Sequence, residues 1–178
     1  MTEQEINKVI KRIKDTLNQA AENAKAKVCK NRGWTRECLH GLAMLGNKYN
    51  CATCPEVSTM KGEWLYDMIW YKEIEDGTDD RDIWPKRMSD VVLVAESEWS
   101  NWIGDIRYDF QKLVQAKAQI KLLICEGVND DEYASLVKDI ELFGHRDSQE
   151  RYLFAIYDGR DGVKKFDYKY YPDCEKGQ

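Results

Sequence analysis

The sequence predicts an α/β fold in which helices and strands form a single domain over residues 1–178. The chain has 178 residues, 43% of them hydrophobic, which is enough for one core and short for two independent domains. Some segments repeat apolar residues at spacings of three and four, as helices do, and others are short apolar runs typical of buried strands. Along the chain, these segments predict the order α, α, β, β, β, α, β, α, β, β.

Two helices are predicted first. The helix over residues 2–27 has apolar residues on one face, at Ile6, Val9, Ile10, Ile13 and Leu17. The sequence Asn-Arg-Gly at 31–33 is expected to break it. A second helix follows, with Thr35 as a candidate N-cap, a buried stripe over 38–45, and an end at Gly46 and Asn47.

The next three predicted elements are strands. A short strand at 49–54 is stopped by Pro55, and the segment 63–72 is rich in aromatic and branched residues. After a polar loop at 73–82, the segment 91–99 begins with a nearly continuous apolar run, as expected of a central strand covered on both faces. We expect the strands at 63–72 and 91–99 to be neighbours in the sheet.

The rest of the chain alternates between helix and strand. Helical spacing predicts helices at 102–119 and 129–143, the second with Asp130 and Asp131 in its first turn. A buried strand is predicted at 121–125 between them. Two further strands form a terminal hairpin over 149–171.

Composition and charge limit the functional classes. A net charge of -5 counts against tight non-specific DNA binding, although acidic metal ligands are neutralised when an ion binds. The chain has no run of 18 apolar residues and its first five residues are polar and acidic, so we expect a cytoplasmic protein with no membrane partner. The six cysteines are then expected to be thiols.

Carboxylates in the two apolar strands are the features that indicate chemistry. Glu96 and Glu98 are two residues apart, so in a strand they point to the same face and repel each other. Asp67 is predicted to lie in the middle of the neighbouring strand, among apolar residues. Carboxylates gathered from adjacent strands favour Mg²⁺ (or Mn²⁺), which prefers oxygen ligands. Lys112, on the following helix, is the best placed lysine to polarise a water or pair with a phosphate.

These residues resemble the core of the PD-(D/E)XK restriction-endonuclease-like superfamily. An aspartate in one strand is followed by Glu-x-Glu in the next, then by a helix and a further apolar strand, and the similarity covers residues 35–126. The resemblance implies a three-layer core with a central mixed sheet flanked by helices. It also implies a Mg²⁺-dependent nuclease that hydrolyses phosphodiester bonds of nucleic acid, foremost DNA, with a homodimer as one possible assembly.

The resemblance also implies roles for single residues. Asp67 and Glu96 match the metal-ligating pair, and Glu37 on the preceding helix matches an extra acid. Glu98 stands where many members have the catalytic lysine, so Glu98 is expected to add a metal ligand or orient the water while Lys112 assists from the helix. The proline of the family motif is absent, since Tyr66 precedes Asp67. The predicted catalytic set is therefore Asp67, Glu96, Glu98 and Lys112, with the three acids as metal ligands.

Other interpretations of these residues stay open. The same fold can serve as a catalytically inactive binding or assembly module, with the acids as a solvated surface patch. Cys51 and Cys54 form a C-x-x-C that, with Cys29 and Cys38, can be imagined as a zinc site of poor spacing. The lysines and tyrosines over 164–171 can touch nucleic acid, although aromatic pairs across a solvated hairpin explain them better.

Overall fold

The computed structural model of the chain describes residues 1–58, 65–74, 87–144, 149–159 and 165–172. Over these residues the protein is an α/β fold with four helices and one six-stranded mixed sheet. The helices are α1 (Glu3–Ala26), α2 (Asn31–Lys48), α3 (Ile103–Gln115) and α4 (Asp130–Leu142). The strands are β1 (Ala52–Cys54), β2 (Met68–Glu73), β3 (Met88–Glu98), β4 (Ile120–Glu126), β5 (Arg151–Asp158) and β6 (Lys165–Tyr171).

The strands lie in the sheet in the order in which they occur along the chain. Strands β1, β2 and β3 are antiparallel to one another, β3, β4 and β5 are parallel, and β6 is antiparallel to β5. The predicted mixed sheet and the predicted pairing of β2 with β3 are therefore confirmed. Because α3 and α4 connect the parallel strands, each of these helices begins at the edge where the preceding strand ends.

Two apolar clusters cover the two faces of the sheet. Alternate residues of β4 show the division, since Leu122 and Ile124 pack with residues of α1 and α2, whereas Leu123 and Cys125 pack with residues of α3 and α4. The sheet is thus the middle one of three layers. None of the helices among the described residues is long and apolar enough to span a membrane.

The first helix is confirmed, and the start of the second was predicted wrongly. Thr2 and Glu5 form a capping box at the N-terminus of α1. The chain turns at Val28, whose φ of 52° is left-handed, and α2 has already begun at Asn31. Gly33 is therefore helical, and a Cβ there would lie 2.6 Å from the Cβ of Cys29. The glycine allows this close approach rather than breaking a helix.

The remaining elements agree with the prediction apart from their ends. Helix α3 ends at Gln115, four residues earlier than predicted, and the residues that follow lead into β4. Strand β2 begins at Met68. The start of the segment predicted at 63–72 and the hairpin turn after residue 159 lie partly outside the described residues, whereas the β5–β6 hairpin pairing is confirmed.

Candidate functional site

Asp67 and Glu96 face each other where β2 begins and β3 nears its end. The antiparallel register pairs Met68 with Ala95, so one further step sets Asp67 opposite Glu96. Asp67 lies one residue before β2, not in the middle of the strand as predicted. Its Oδ2 atom accepts a hydrogen bond of 2.8 Å from the backbone N–H of Ser97. The predicted pair of carboxylates is therefore brought together, with Asp67 held against the backbone of β3.

Glu96 is a buried carboxyl group with incomplete hydrogen bonding. Its side chain is 1% exposed and points to the face of the sheet that α3 covers. The Lys112 Nζ atom lies 3.4 Å from Oε1 and 3.5 Å from Oε2, which is long for a charged pair. None of the described residues donates a hydrogen bond to Glu96 Oε1. A buried polar oxygen in this condition is costly unless a proton, an ion or a ligand satisfies it.

The surroundings of Glu96 raise its pKa. Burial is the largest cause and the nearby Asp67 carboxylate adds to it, whereas Lys112 acts in the opposite direction. Together they raise the pKa of Glu96 from 4.5 to about 8. Glu96 therefore carries a proton over much of the neutral range, and a cation brought beside it would displace that proton.

Lys112 connects this buried acid to the surface. Its side chain is 38% exposed, and its Nζ atom lies 2.7 Å from Asp109 Oδ1, one helical turn away. Burial lowers the pKa of Lys112, but the hydrogen bond to Asp109 and the nearby carboxyl groups of Glu96 and Asp109 outweigh burial, so its pKa is raised. Lys112 is therefore a charged lysine.

Two further residues belong to the site and were not predicted. Asp109 holds Lys112, and its spacing of three residues from Lys112 on a helix was the signal that could have found it. Tyr66 is the second, because burial raises the pKa of its hydroxyl, with Glu96 adding to the shift and Lys112 opposing it. Tyr66 occupies the position of the missing motif proline, where sequence alone assigns it no role.

Glu98 has a local contact of its own. Alternation along β3 places it on the same face as Glu96, but its Oε1 accepts a 2.6 Å hydrogen bond from the backbone N–H of Ser100. The Ser100 hydroxyl donates to Asp105, 2.7 Å away, and accepts from the Trp102 N–H. Glu98 thus helps to order the turn that leads from β3 into α3.

The described residues contain no group of three or more His, Cys, Asp or Glu side chains placed to hold a metal ion. The three acids predicted as ligands are therefore not found as a preformed cage. The closest arrangement is the pair Asp67 and Glu96. A pair can still suit Mg²⁺, which commonly keeps several waters and is bound through one or two carboxylates together with substrate phosphates.

Other candidates from the sequence lie away from this site. Glu37 is on α2, which packs on the opposite face of the sheet, and its carboxylate pairs with Lys27 at 2.6 Å. Cys51 and Cys54 pack in clusters on opposite faces, so they do not converge on one zinc ion. The five described cysteines are free thiols, and Cys174 lies outside the described residues.

The aromatic and basic residues of the terminal hairpin make contacts within the fold. The Tyr168 hydroxyl donates to the Lys14 carbonyl and to Asn18 on α1. Lys169 pairs with Asp130 and lies over the Tyr133 ring on α4. These contacts attach β6 to helices on both faces of the sheet, which favours the structural interpretation of the hairpin. Lys164 lies outside the described residues.

Comparisons of the chain with protein-family models, with curated proteins and with solved structures found no match. The chemistry of the site is therefore the guide to function. The site combines a protonated buried acid, a second carboxylate beside it and a charged lysine that reaches the surface. These groups are able to bind a cation, transfer a proton or bind an anionic oxygen.

Proposed function

We propose that the protein hydrolyses phosphodiester bonds of nucleic acid with the help of Mg²⁺ or Mn²⁺. The observation that carries the proposal is the buried Glu96 carboxyl, which lies beside Asp67 with its Oε1 atom 3.4 Å from Lys112 Nζ. This oxygen accepts no hydrogen bond from the residues that the structure describes. The order of helix, three strands, helix and strand from α2 to β4 supports the resemblance to the restriction-endonuclease-like fold. Nucleic acid, foremost DNA, is the partner that this resemblance implies.

The acid pair suits a divalent ion for an energetic reason. Two carboxylates at short range in a poorly solvated place repel each other, and a bound cation relieves both the repulsion and the cost of burial. When bound, the ion would supply an activated water and neutralise charge that develops on the phosphate. Asp67 and Glu96 are the residues that would hold it.

Each residue of the site then has a defined role. The Ser97 N–H fixes the direction of the Asp67 carboxylate. Glu96 would release its proton to solvent on binding a cation and would then be a ligand. Lys112 would hold a positive charge where the substrate phosphate approaches. It would thereby take the role of the strand lysine that many members of the superfamily have at the position of Glu98. In this scheme Glu98 would add a ligand or orient the attacking water through the oxygen that Ser100 does not engage.

The test is hydrolysis of single- and double-stranded DNA and of RNA with Mg²⁺ or Mn²⁺. We expect cleavage by the natural chain, loss of cleavage in Asp67→Asn, and unchanged cleavage in Glu141→Gln, which removes an exposed carboxylate of α4. Equal activity in Asp67→Asn, or cleavage that persists in excess chelator, would contradict the proposal. Far-ultraviolet circular dichroism checks that both variants fold.

A second candidate is a binding or assembly module without catalysis, including a homodimer. The hydrogen bond from Ser100 to Glu98 favours it, because a carboxylate engaged in a turn is less free to serve a reaction. The net charge of -5 also makes a protein partner more suitable than a polyanion. The two functions separate experimentally, since a module would bind its partner equally well with and without divalent ions and would leave every nucleic acid intact.

A further inference from the structure

One side of α3 carries a row of exposed groups that leads to the acid pair. The Trp102 ring lies over Gly104, since a Cβ on Gly104 would be 2.6 Å from ring atoms Cζ2 and Cη2. Tyr108 is one turn beyond Gly104, and Lys112 is one turn beyond Tyr108, with its Nζ atom 5.6 Å from the Tyr108 ring centroid. We call Trp102, Tyr108 and Lys112 the α3 stripe. Its far end is the lysine that contacts Glu96.

The two aromatic rings of the α3 stripe face solvent. Trp102 is 65% exposed and Tyr108 is 73% exposed, whereas the apolar side of α3 packs on the sheet through Ile106, Phe110, Leu113 and Val114. Side chains this exposed contribute little to the hydrophobic core, so the stability of the fold does not explain why these two positions carry large rings. Their flat, accessible faces and the neighbouring cation are features of surfaces on which nucleobases stack.

We propose that the α3 stripe binds a single-stranded segment of nucleic acid, with bases stacked on Trp102 and Tyr108 and a phosphate at Lys112. The inference rests on the proposed function, which it deepens by naming the form of the substrate. The rings lie about one helical turn apart, so successive bases can approach them along the helix. The strand would then continue from Lys112 toward Asp67 and Glu96. A stacked duplex keeps its base faces covered and has no comparable means of using the rings.

The net charge of the chain determines how strongly single-strand binding should depend on salt. Lys112 is the one cation of the stripe, and the net charge of the protein is -5, so phosphate contacts contribute little to binding. Stacking is then the main source of affinity. Unlike a phosphate contact, a stacked base releases no counterions, so it adds little salt dependence. We therefore expect a salt dependence equivalent to about one phosphate contact, far below that of a basic nucleic-acid-binding protein.

The test uses the full chain with chelator present, so that binding is measured without cleavage. Fluorescence anisotropy of labelled oligothymidine is compared with that of a labelled duplex of equal length. We expect the single strand to bind tighter, and Trp102→Ala or Tyr108→Ala to weaken its binding about tenfold each. Trp102→Phe keeps a ring and should restore most of the affinity. Leu142→Ala, at a side chain that is also 73% exposed but lies on α4, is the matched control and should change nothing.

A second variant protects the test against misfolding. Gly104→Ala displaces the Trp102 ring without removing it, and alanine favours a helix over glycine, so folding is kept. We expect weaker single-strand binding with no loss of thermal stability. Equal binding in all variants, or tighter binding of the duplex, would overturn the inference. So would dimers that dissociate in Trp102→Ala during sedimentation, because the stripe would then bind a second copy of the chain.

Failure of this inference is distinguishable from failure of the proposed function. Stripe-dependent binding of a single strand with no cleavage in Mn²⁺ would support the stripe and contradict the nuclease. Cleavage that is lost in Asp67→Asn yet unchanged in Trp102→Ala and Tyr108→Ala would support the nuclease and contradict the stripe.

Discussion

Replacing Glu96 by glutamine should make the protein more stable at alkaline pH. Burial, strengthened by Asp67, raises the pKa of Glu96 from 4.5 to about 8, so the folded state keeps a proton that the unfolded chain releases. Between these two values the folded state binds more protons than the unfolded state, and the free energy of unfolding therefore falls as the pH rises. Glutamine has the same shape and no charge, so the variant does not have this loss.

The size of the effect follows from that pH window. Each pH unit between the two pKa values corresponds to about 1.4 kcal/mol, which sets an upper limit of roughly 5 kcal/mol. Water entry and movement of Lys112 toward the carboxylate reduce the cost of the charged form. We therefore expect the free energy of unfolding of Glu96→Gln to exceed that of the natural chain by about 2 to 4 kcal/mol at pH 8.5, and the two values to match near pH 4.5.

Urea unfolding at several pH values measures this difference. Both proteins are followed by circular dichroism from about pH 5 to about pH 8.5, and the free energies of unfolding are subtracted at each pH. Glu141→Gln on the exposed side of α4 is the control for the loss of one negative charge. A difference that stays flat across this range, or a Glu96→Gln variant less stable than the natural chain at high pH, would refute the account of the buried carboxyl.

Three further predictions test the contacts around the site and the core. Lys112→Met removes the cation that lowers the pKa of Glu96, so in the same urea series the loss of stability should begin at the same pH and continue to higher pH, and hydrolysis should fall about a hundredfold. Lys121 is fully buried, and its Nζ atom lies 2.8 Å from Oε2 of the largely buried Glu150. Lys121→Met should lower the free energy of unfolding by about 3 kcal/mol because it leaves the Glu150 carboxylate uncompensated, and an effect under about 1 kcal/mol would contradict this. Gly46→Ala should cost about 1 to 3 kcal/mol in urea unfolding, since the new Cβ would lie 3.0 Å from the Trp70 ring, and an unchanged midpoint would contradict that packing.

Much of the fold could be predicted because the apolar residues of its helices and strands recur at the spacing typical of each element. The apolar face of α1 and the continuous apolar run in β3 each match the surroundings they have in the structure. The start of α2 was missed, because Gly33 was interpreted by its average preference. The deciding facts are the left-handed Val28 and the close approach of Cys29, and both depend on how α1 and α2 meet.

The candidate site was predictable only in part. Strand alternation and chain order suggested Asp67, Glu96 and Lys112, and the structure places these three together. Sequence could not show that Glu98 engages the backbone of Ser100, because that contact depends on the course of one turn. Glu37 was assigned by analogy to a preceding helix, and the layer to which a helix packs is a property of the whole fold.

The burial of Glu96 also depends on how the elements pack, so the sequence alone could not predict it. Its position near the end of a strand suggested a solvated carboxylate as readily as a buried one. Packing of α3 over β3 decides between these, and it leaves the side chain 1% exposed. This burial is what gives the acid its raised pKa and its demand for a partner.

Calorimetric titration of the protein with Mn²⁺ near pH 7 is the sharpest experiment on the acid pair. If Asp67 and Glu96 form a divalent-ion site, binding should release about one proton, because Glu96 has a pKa of about 8 before the ion binds. Repeating the titration in buffers with different heats of ionisation measures that proton. Asp67→Asn should abolish binding. Absence of binding heat in the natural chain, or equal binding in Asp67→Asn, would contradict the account.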